Sequence, residues 1–144
     1  MNNKMILLVE DNARDEILTL RALKKSGIAN EIVVARDGPE ALEYVFGTGK
    51  FAGRDSKIQP QLILLDLKLP KMDGLQVLQR LRADDRTKRL PVVVFTSSSE
   101  QEDMIKSYDL GANSYVRKPV DSEQFAEATR QVGMYWFLLN ESAG

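Results

Sequence analysis

Three acids, a hydroxyl and an amine stand where four short apolar runs stop. Met5–Val9 ends on Glu10-Asp11, Leu62–Leu65 on Asp66, Val92–Phe95 on Thr96, and Ser114–Val116 leads into Lys118-Pro119. Each residue type has work it can do on a phosphoryl group. Carboxylates crowded together repel, and a divalent cation relieves that repulsion while drawing charge from an incoming phosphoryl. A carboxylate can also carry the group covalently. The hydroxyl can donate to one phosphoryl oxygen and the ammonium can neutralise another. Singly, each residue has a plainer reading, since acids cap helices and a Lys before Pro commonly faces solvent. Their conjunction carries the argument.

Convergence needs a scaffold, and the rest of the chain supplies one. Short β-rich runs between helical patterns read as parallel strands buried on both faces. Strands are expected near 4–9, 31–35, 62–65, from Pro91, and at 114–116. The helix between the first two runs from about Asn12 to Lys25, with Ala13, Ile17, Leu20 and Leu23 on one stripe and Gly27 closing it. Gly38-Pro39 opens a second helix, with Ala41, Leu42, Val45 and Phe46 facing inward. Residues 47–60 read as a long, mobile surface loop. A third helix carries Leu75, Leu78 and Leu81, and a weaker fourth runs from about Glu100 to Leu110. Asp121 with Gln124 starts an extended last helix over about 121–140. Five βα units imply an α/β fold with a doubly wound, five-stranded parallel sheet in the order 2-1-3-4-5. The C-terminal strand ends of such a sheet share one edge, where ligands bind.

Composition narrows the chemistry. The chain has 144 residues, 43% apolar and 28% charged, with a net charge of −1, and is expected to form one domain over residues 1–144. That charge offers nothing to attract nucleic acid or an anionic membrane. The longest wholly apolar run, Met134–Leu139, is too short to span a bilayer, and no cleavage signal follows the N-terminus, so a cytoplasmic protein is expected. Neither Cys nor His occurs. Thiol nucleophiles, zinc–thiolate centres, imidazole metal sites and Ser-His-Asp triads are therefore excluded, and any cation must be held by oxygen.

With Glu10-Asp11, Asp66, Thr96 and Lys118-Pro119 in that order, the chain resembles the receiver domain of two-component response regulators over essentially its whole length. The resemblance implies a flavodoxin-like receiver fold and a phosphoacceptor at Asp66, taking its group from the phosphohistidine of a sensor histidine kinase or a phosphotransfer protein. It implies Mg2+ held by Asp11, Asp66 and the backbone carbonyl of Lys68, with Glu10 acting through water. Thr96 and Lys118 would bind the phosphoryl oxygens. Thr96 and Tyr115 resemble the family's switch pair, and the Lys118–Pro119 bond would be cis. Such a protein catalyses its own modification and turns over no free substrate. Signalling would go through protein contacts or phosphorelay.

A dehalogenase-type phosphatase would need a second Asp two residues after the nucleophile, where Lys68 stands. A flavodoxin-like flavin binder would need a phosphate loop after the first strand, where Glu10-Asp11 would repel the phosphate. Gly47-Thr48-Gly49-Lys50 lacks the phosphate-loop spacing and follows a helix rather than a strand. At the other end, six consecutive apolar or aromatic residues, 134–139, cannot all face one core at about 100° per residue. With Phe125, Ala128, Val132, Trp136 and Leu139 inward, some of Met134, Tyr135, Phe137 and Leu138 are left outside, which predicts a homodimer through the C-terminal helix. The Phe/Trp-containing end also resembles the regulators that partner bacterial phytochromes, which form dimers.

Overall fold

The computed structural model describes residues 5–27 and 31–140. Five parallel strands, β1 (Met5–Val9), β2 (Glu31–Ala35), β3 (Leu62–Leu65), β4 (Val92–Thr96) and β5 (Ser114–Arg117), lie in the order β2-β1-β3-β4-β5. Lys4, expected to begin the first strand, lies outside the described residues. Between the strands run α1 (Ala13–Ser26), α2 (Gly38–Phe46), α3 (Gly74–Arg82) and α4 (Gln101–Asp109), and α5 (Ser122–Met134) follows the last. The three central strands are buried throughout, as unbroken apolar runs covered on both faces require.

Strand alternation splits the core in two. Met5, Leu7, Val9, Ile63 and Leu65 pack with Ala41, Val45, Leu78 and Leu81 of α2 and α3. Ile6, Leu8, Leu62 and Leu64 face the other way, toward Leu23 of α1 and Trp136 and Phe137 beyond α5. Side chains on alternate residues must take opposite faces. Helix starts are set by side chains that accept the first free amides: Asn12 for α1, Asp37 for α2, Asp121 for α5, and a full Asp73/Gln76 capping box for α3. No helix among the described residues is long and apolar enough to cross a membrane.

Three expectations need correction. The buried stripe of α1 is Thr19, Ala22 and Leu23, while Ala13 and Ile17 are exposed. α1 packs on α5 as well as on the sheet, so the face it buries includes the small Ala22 and the polar Thr19 and is not the one marked by its most apolar residues. The loop over 47–60 is not a loose connection. It contains a 3-10 turn at Gly49–Phe51, and the Arg54 guanidinium lies 3.9 Å from the centre of the Tyr44 ring while donating to the carbonyls of Tyr44 and Ile58.

The third correction concerns the chain end. After Met134 the helix widens into a π turn at Tyr135–Leu139, closed by the Asn140 amide on the Tyr135 carbonyl at 2.7 Å, an i→i+5 bond. Packing more residues into one revolution changes which side chains share a face. Phe137, a candidate for the outside, is buried beside Trp136, and Leu139, expected inward, is 71% exposed.

One close approach ties this scaffold to the strand ends. A Cβ on Gly74, the first residue of α3, would lie 2.3 Å from the Asp66 carbonyl oxygen and 2.7 Å from the Leu67 Cα. The backbone there cannot yield without moving Asp66. Gly74→Ala is expected to lower stability by about 1–3 kcal/mol, read as a lower urea midpoint at unchanged slope. A midpoint equal to wild type would show that the helix start can shift freely.

Candidate functional site

Register brings the candidate residues together. Val9 pairs with Leu65, so Glu10 and Asp66 leave the sheet side by side, one residue past the last pair. Leu65 pairs with Val94 and Thr96 pairs with Arg117, which sets Thr96 and Lys118 along the same edge. The Asp66 amide donates to the Val9 carbonyl at 3.1 Å and the Lys118 amide to the Thr96 carbonyl at 2.7 Å, so the ladder extends to the functional residues themselves. Carboxylate oxygens of Glu10, Asp11 and Asp66 lie within 4.8 Å of one another, with Glu10 and Asp66 buried and Asp11 exposed. This acidic cluster is capable of coordinating a divalent metal, and its donors are the hard oxygens that such ions prefer.

Lys118 closes the pocket from the far side. Its ammonium is buried and reaches Glu10 Oε1 at 2.6 Å, Asp66 Oδ2 at 2.8 Å and Asp15 Oδ2 at 3.0 Å. The other Glu10 oxygen accepts from the Asn12 amide at 3.1 Å, and Asp66 Oδ1 accepts from the Lys68 amide at 3.3 Å. Lys68 itself is exposed at the start of the loop after β3. Asp15 was not singled out in the sequence. It sits in the first turn of α1, where an acid is already accounted for by the helix dipole, so the only signal was a further carboxylate shortly after Glu10-Asp11.

Thr96 and Tyr115 meet through one residue. The buried Thr96 hydroxyl accepts from the Ser98 amide at 3.3 Å, and the half-buried Tyr115 donates its hydroxyl to the Ser98 carbonyl at 3.1 Å. Ser98 also donates to Asp103 at 2.7 Å, tying this loop to α4. The Lys118–Pro119 peptide is trans, correcting the cis isomer implied by resemblance: no cis bond occurs among the described residues. Trans is the intrinsically favoured isomer even before proline.

Residues 6–130 match the family model described as the response regulator receiver domain. Response regulator Rcp1 of Synechocystis is 38% identical over 133 residues, spanning 92% of this chain and 88% of its own. Its Mn(2+)-bound form superposes with a TM-score of 0.90, covering 98% of this chain and 99% of that one at 35% identity. The phosphorylated cyanobacterial phytochrome response regulator RcpA gives a TM-score of 0.92 at 38% identity, covering 99% and 100%. The bacteriophytochrome response regulator AtBRR is 52% identical with a TM-score of 0.77, covering 98% and 100%.

Charge in the pocket does not balance, because one ammonium faces three carboxylates and Asp11 stands beside them. Burial pushes the Glu10 carboxyl up from 4.5 to about 7, with Asp66 adding to the rise and Lys118 opposing it. Burial alone would depress Lys118, but Asp66 and Glu10 outweigh it and hold the ammonium above its ordinary value. The folded protein thus keeps a proton on Glu10 that the unfolded chain releases. Stability from that proton is complete below about pH 4.5 and is lost as pH rises through about 7. In chelator, raising pH from about 5 to about 8 should lower the urea midpoint of the wild type more than that of Glu10→Gln, which has no proton to lose. A divalent cation should narrow the gap by stabilising the ionised cluster. Parallel pH profiles for the two proteins would refute this account of the pocket.

Proposed function

Because the chain belongs to the response regulator receiver family, we propose that it takes a phosphoryl group from a partner kinase's phosphohistidine onto Asp66 and signals through the change that follows. Members of this family are modified rather than turning over a free substrate. The observation that carries the assignment is the setting of Asp66: it ends a central strand, one oxygen faces the Lys118 ammonium at 2.8 Å, and the carboxylate borders Glu10 and Asp11. An Asp66 oxygen attacks phosphorus, the P–N bond to the histidine breaks with its electron pair going to the imidazole, and an acyl phosphate forms. Later attack by water releases inorganic phosphate and restores the carboxylate.

The proposed ion is Mg2+, held by Asp11, Asp66 and the Lys68 carbonyl, with Glu10 acting through water. An all-oxygen donor set with uncompensated negative charge suits it, as does the binding of Mn2+ by the related Rcp1. When bound, it would withdraw charge from the phosphoryl oxygens. Thr96 and Lys118 meet those oxygens, and Thr96 and Tyr115 form the switch. Their shared neighbour supports it: Thr96 moving toward the phosphoryl group gives up the Ser98 amide, and Tyr115 turning inward gives up the Ser98 carbonyl. The phytochrome association of RcpA and AtBRR favours a phytochrome-like sensor kinase as partner.

The exposed Tyr135, Leu138 and Leu139 make the end of the chain the proposed homodimer surface. Because Phe137 is buried, the variant that probes this surface is Tyr135→Glu with Leu138→Glu. Sedimentation should find a wild-type dimer at tens of micromolar, roughly the range of weak surface-patch association, and a monomeric double variant. A monomeric wild type would remove the proposal.

For the phosphoacceptor, intact mass after incubation with Mg2+ and acetyl phosphate should rise by one phosphoryl group in wild type. Asp66→Asn should show no gain. An equal gain in both would place the modification elsewhere.

A further inference from the structure

The ammonium of Lys118 has three N–H donors and no more, and all three are engaged. They point at Glu10, Asp66 and Asp15 at 2.6, 2.8 and 3.0 Å, each a full-strength hydrogen bond. Once a phosphoryl group sits on Asp66, one of these bonds must be surrendered before Lys118 can donate to a phosphoryl oxygen. The reading of Asp66 as acceptor is the premise here; which bond is surrendered is a separate matter, and the structure distinguishes the three.

Glu10 makes the shortest bond and is 2% exposed, so releasing Lys118 would leave a polar oxygen without its partner in a dry setting. Asp66 is the residue that receives the group. Asp15 makes the longest bond, is 14% exposed, and already shares its other oxygen with Arg14 at 3.1 Å. It also lies in the first turn of α1, where free amides and the helix dipole favour a negative charge. Asp15 therefore loses least on letting go.

It is also held firmly in place. The Asp15 amide donates to the Asn12 side chain at 2.9 Å, and the Asn12 amide donates to Glu10 Oε2 at 3.1 Å. The backbone of Asp15 is thus set relative to Glu10 by two hydrogen bonds through the cap of α1.

We propose that Asp15 is a positioning residue for Lys118: it holds the third N–H of the ammonium in the resting protein and must release it when a phosphoryl group arrives, so it sets how readily that group is taken up and kept. The resting hold competes with the phosphoryl oxygen for the same donor. Weakening it should favour the phosphorylated state.

The test is Asp15→Asn, which keeps size and can still accept a hydrogen bond but carries no charge. Beryllofluoride is titrated in excess Mg2+ and followed by fluorine NMR or calorimetry, with far-UV circular dichroism to establish folding. The variant should bind beryllofluoride about 3- to 10-fold more tightly, the range a partly exposed ion pair commands. Its acyl phosphate, made with acetyl phosphate and followed by intact mass, should outlast that of wild type by a similar factor. Because Asp15 acts through the ammonium, the gain should disappear when the same substitution is made in Lys118→Ala. Unchanged or weaker binding in Asp15→Asn overturns the inference, as does a gain that persists without Lys118. A folded wild type that takes up neither beryllofluoride nor phosphoryl overturns the acceptor reading and this inference with it.

Discussion

A buried ammonium cannot be left alone, and much of this molecule is arranged around that fact. Moving Lys118 out of water costs several kcal/mol unless opposite charge and hydrogen bonds surround it. The carboxylates that meet it come from three separate segments: the end of β1, the first turn of α1 and the end of β3. No local stretch of chain could assemble them. Only a parallel sheet whose strands stop level with one another delivers these groups and Lys118 to one point, and the strand order β2-β1-β3-β4-β5 puts β1 and β3 together at its centre.

The same arrangement overshoots neutrality, and the overshoot is useful. A pocket of acids with a single amine is poised between a proton and a metal ion, since either reduces the repulsion. The proton on Glu10 is the weaker remedy, because it sacrifices a charge that the ion would use. The proposed phosphoryl group would add further negative charge at this spot, where a bound ion and the amine would act together. The folding cost of the cluster is offset by apolar strands buried on both faces.

Strand ends were legible because burial on both faces leaves an unbroken apolar run, and the first polar residue after each run marks the edge. Those four boundaries named the residues that the sheet edge brings together, Glu10, Asp11 and Asp66 with Lys118 against them. Asp15 was not legible, since an acid in a first helical turn satisfies the dipole without any partner across the fold. The rotation of α1 escaped because a helix that packs on both the sheet and α5 buries small and polar residues such as Ala22 and Thr19, which carry no apolar signal. Arg54 pins its loop by reaching backbone carbonyls, which carry no side-chain signature. Phe137 and Leu139 were misplaced for a geometric reason: a 100° periodicity cannot foresee a turn that closes i→i+5.

That turn makes the outer face of the C-terminal segment depend on residue count as well as residue identity. In a regular helix, exchanging which side chains are wet requires rewriting several positions at once. Here, removing one residue within Tyr135–Leu139 would turn the i→i+5 closure into an ordinary i→i+4 one, leaving the residues on either side nearly in phase and redistributing between solvent and sheet only the side chains inside the turn. A lineage that gains or loses a single codon there could change which apolar side chains the turn exposes, while the pocket at the opposite edge of the sheet kept every contact it has. The exposed apolar surface and the pocket can therefore diverge independently in such chains, one by insertion and deletion, the other by substitution.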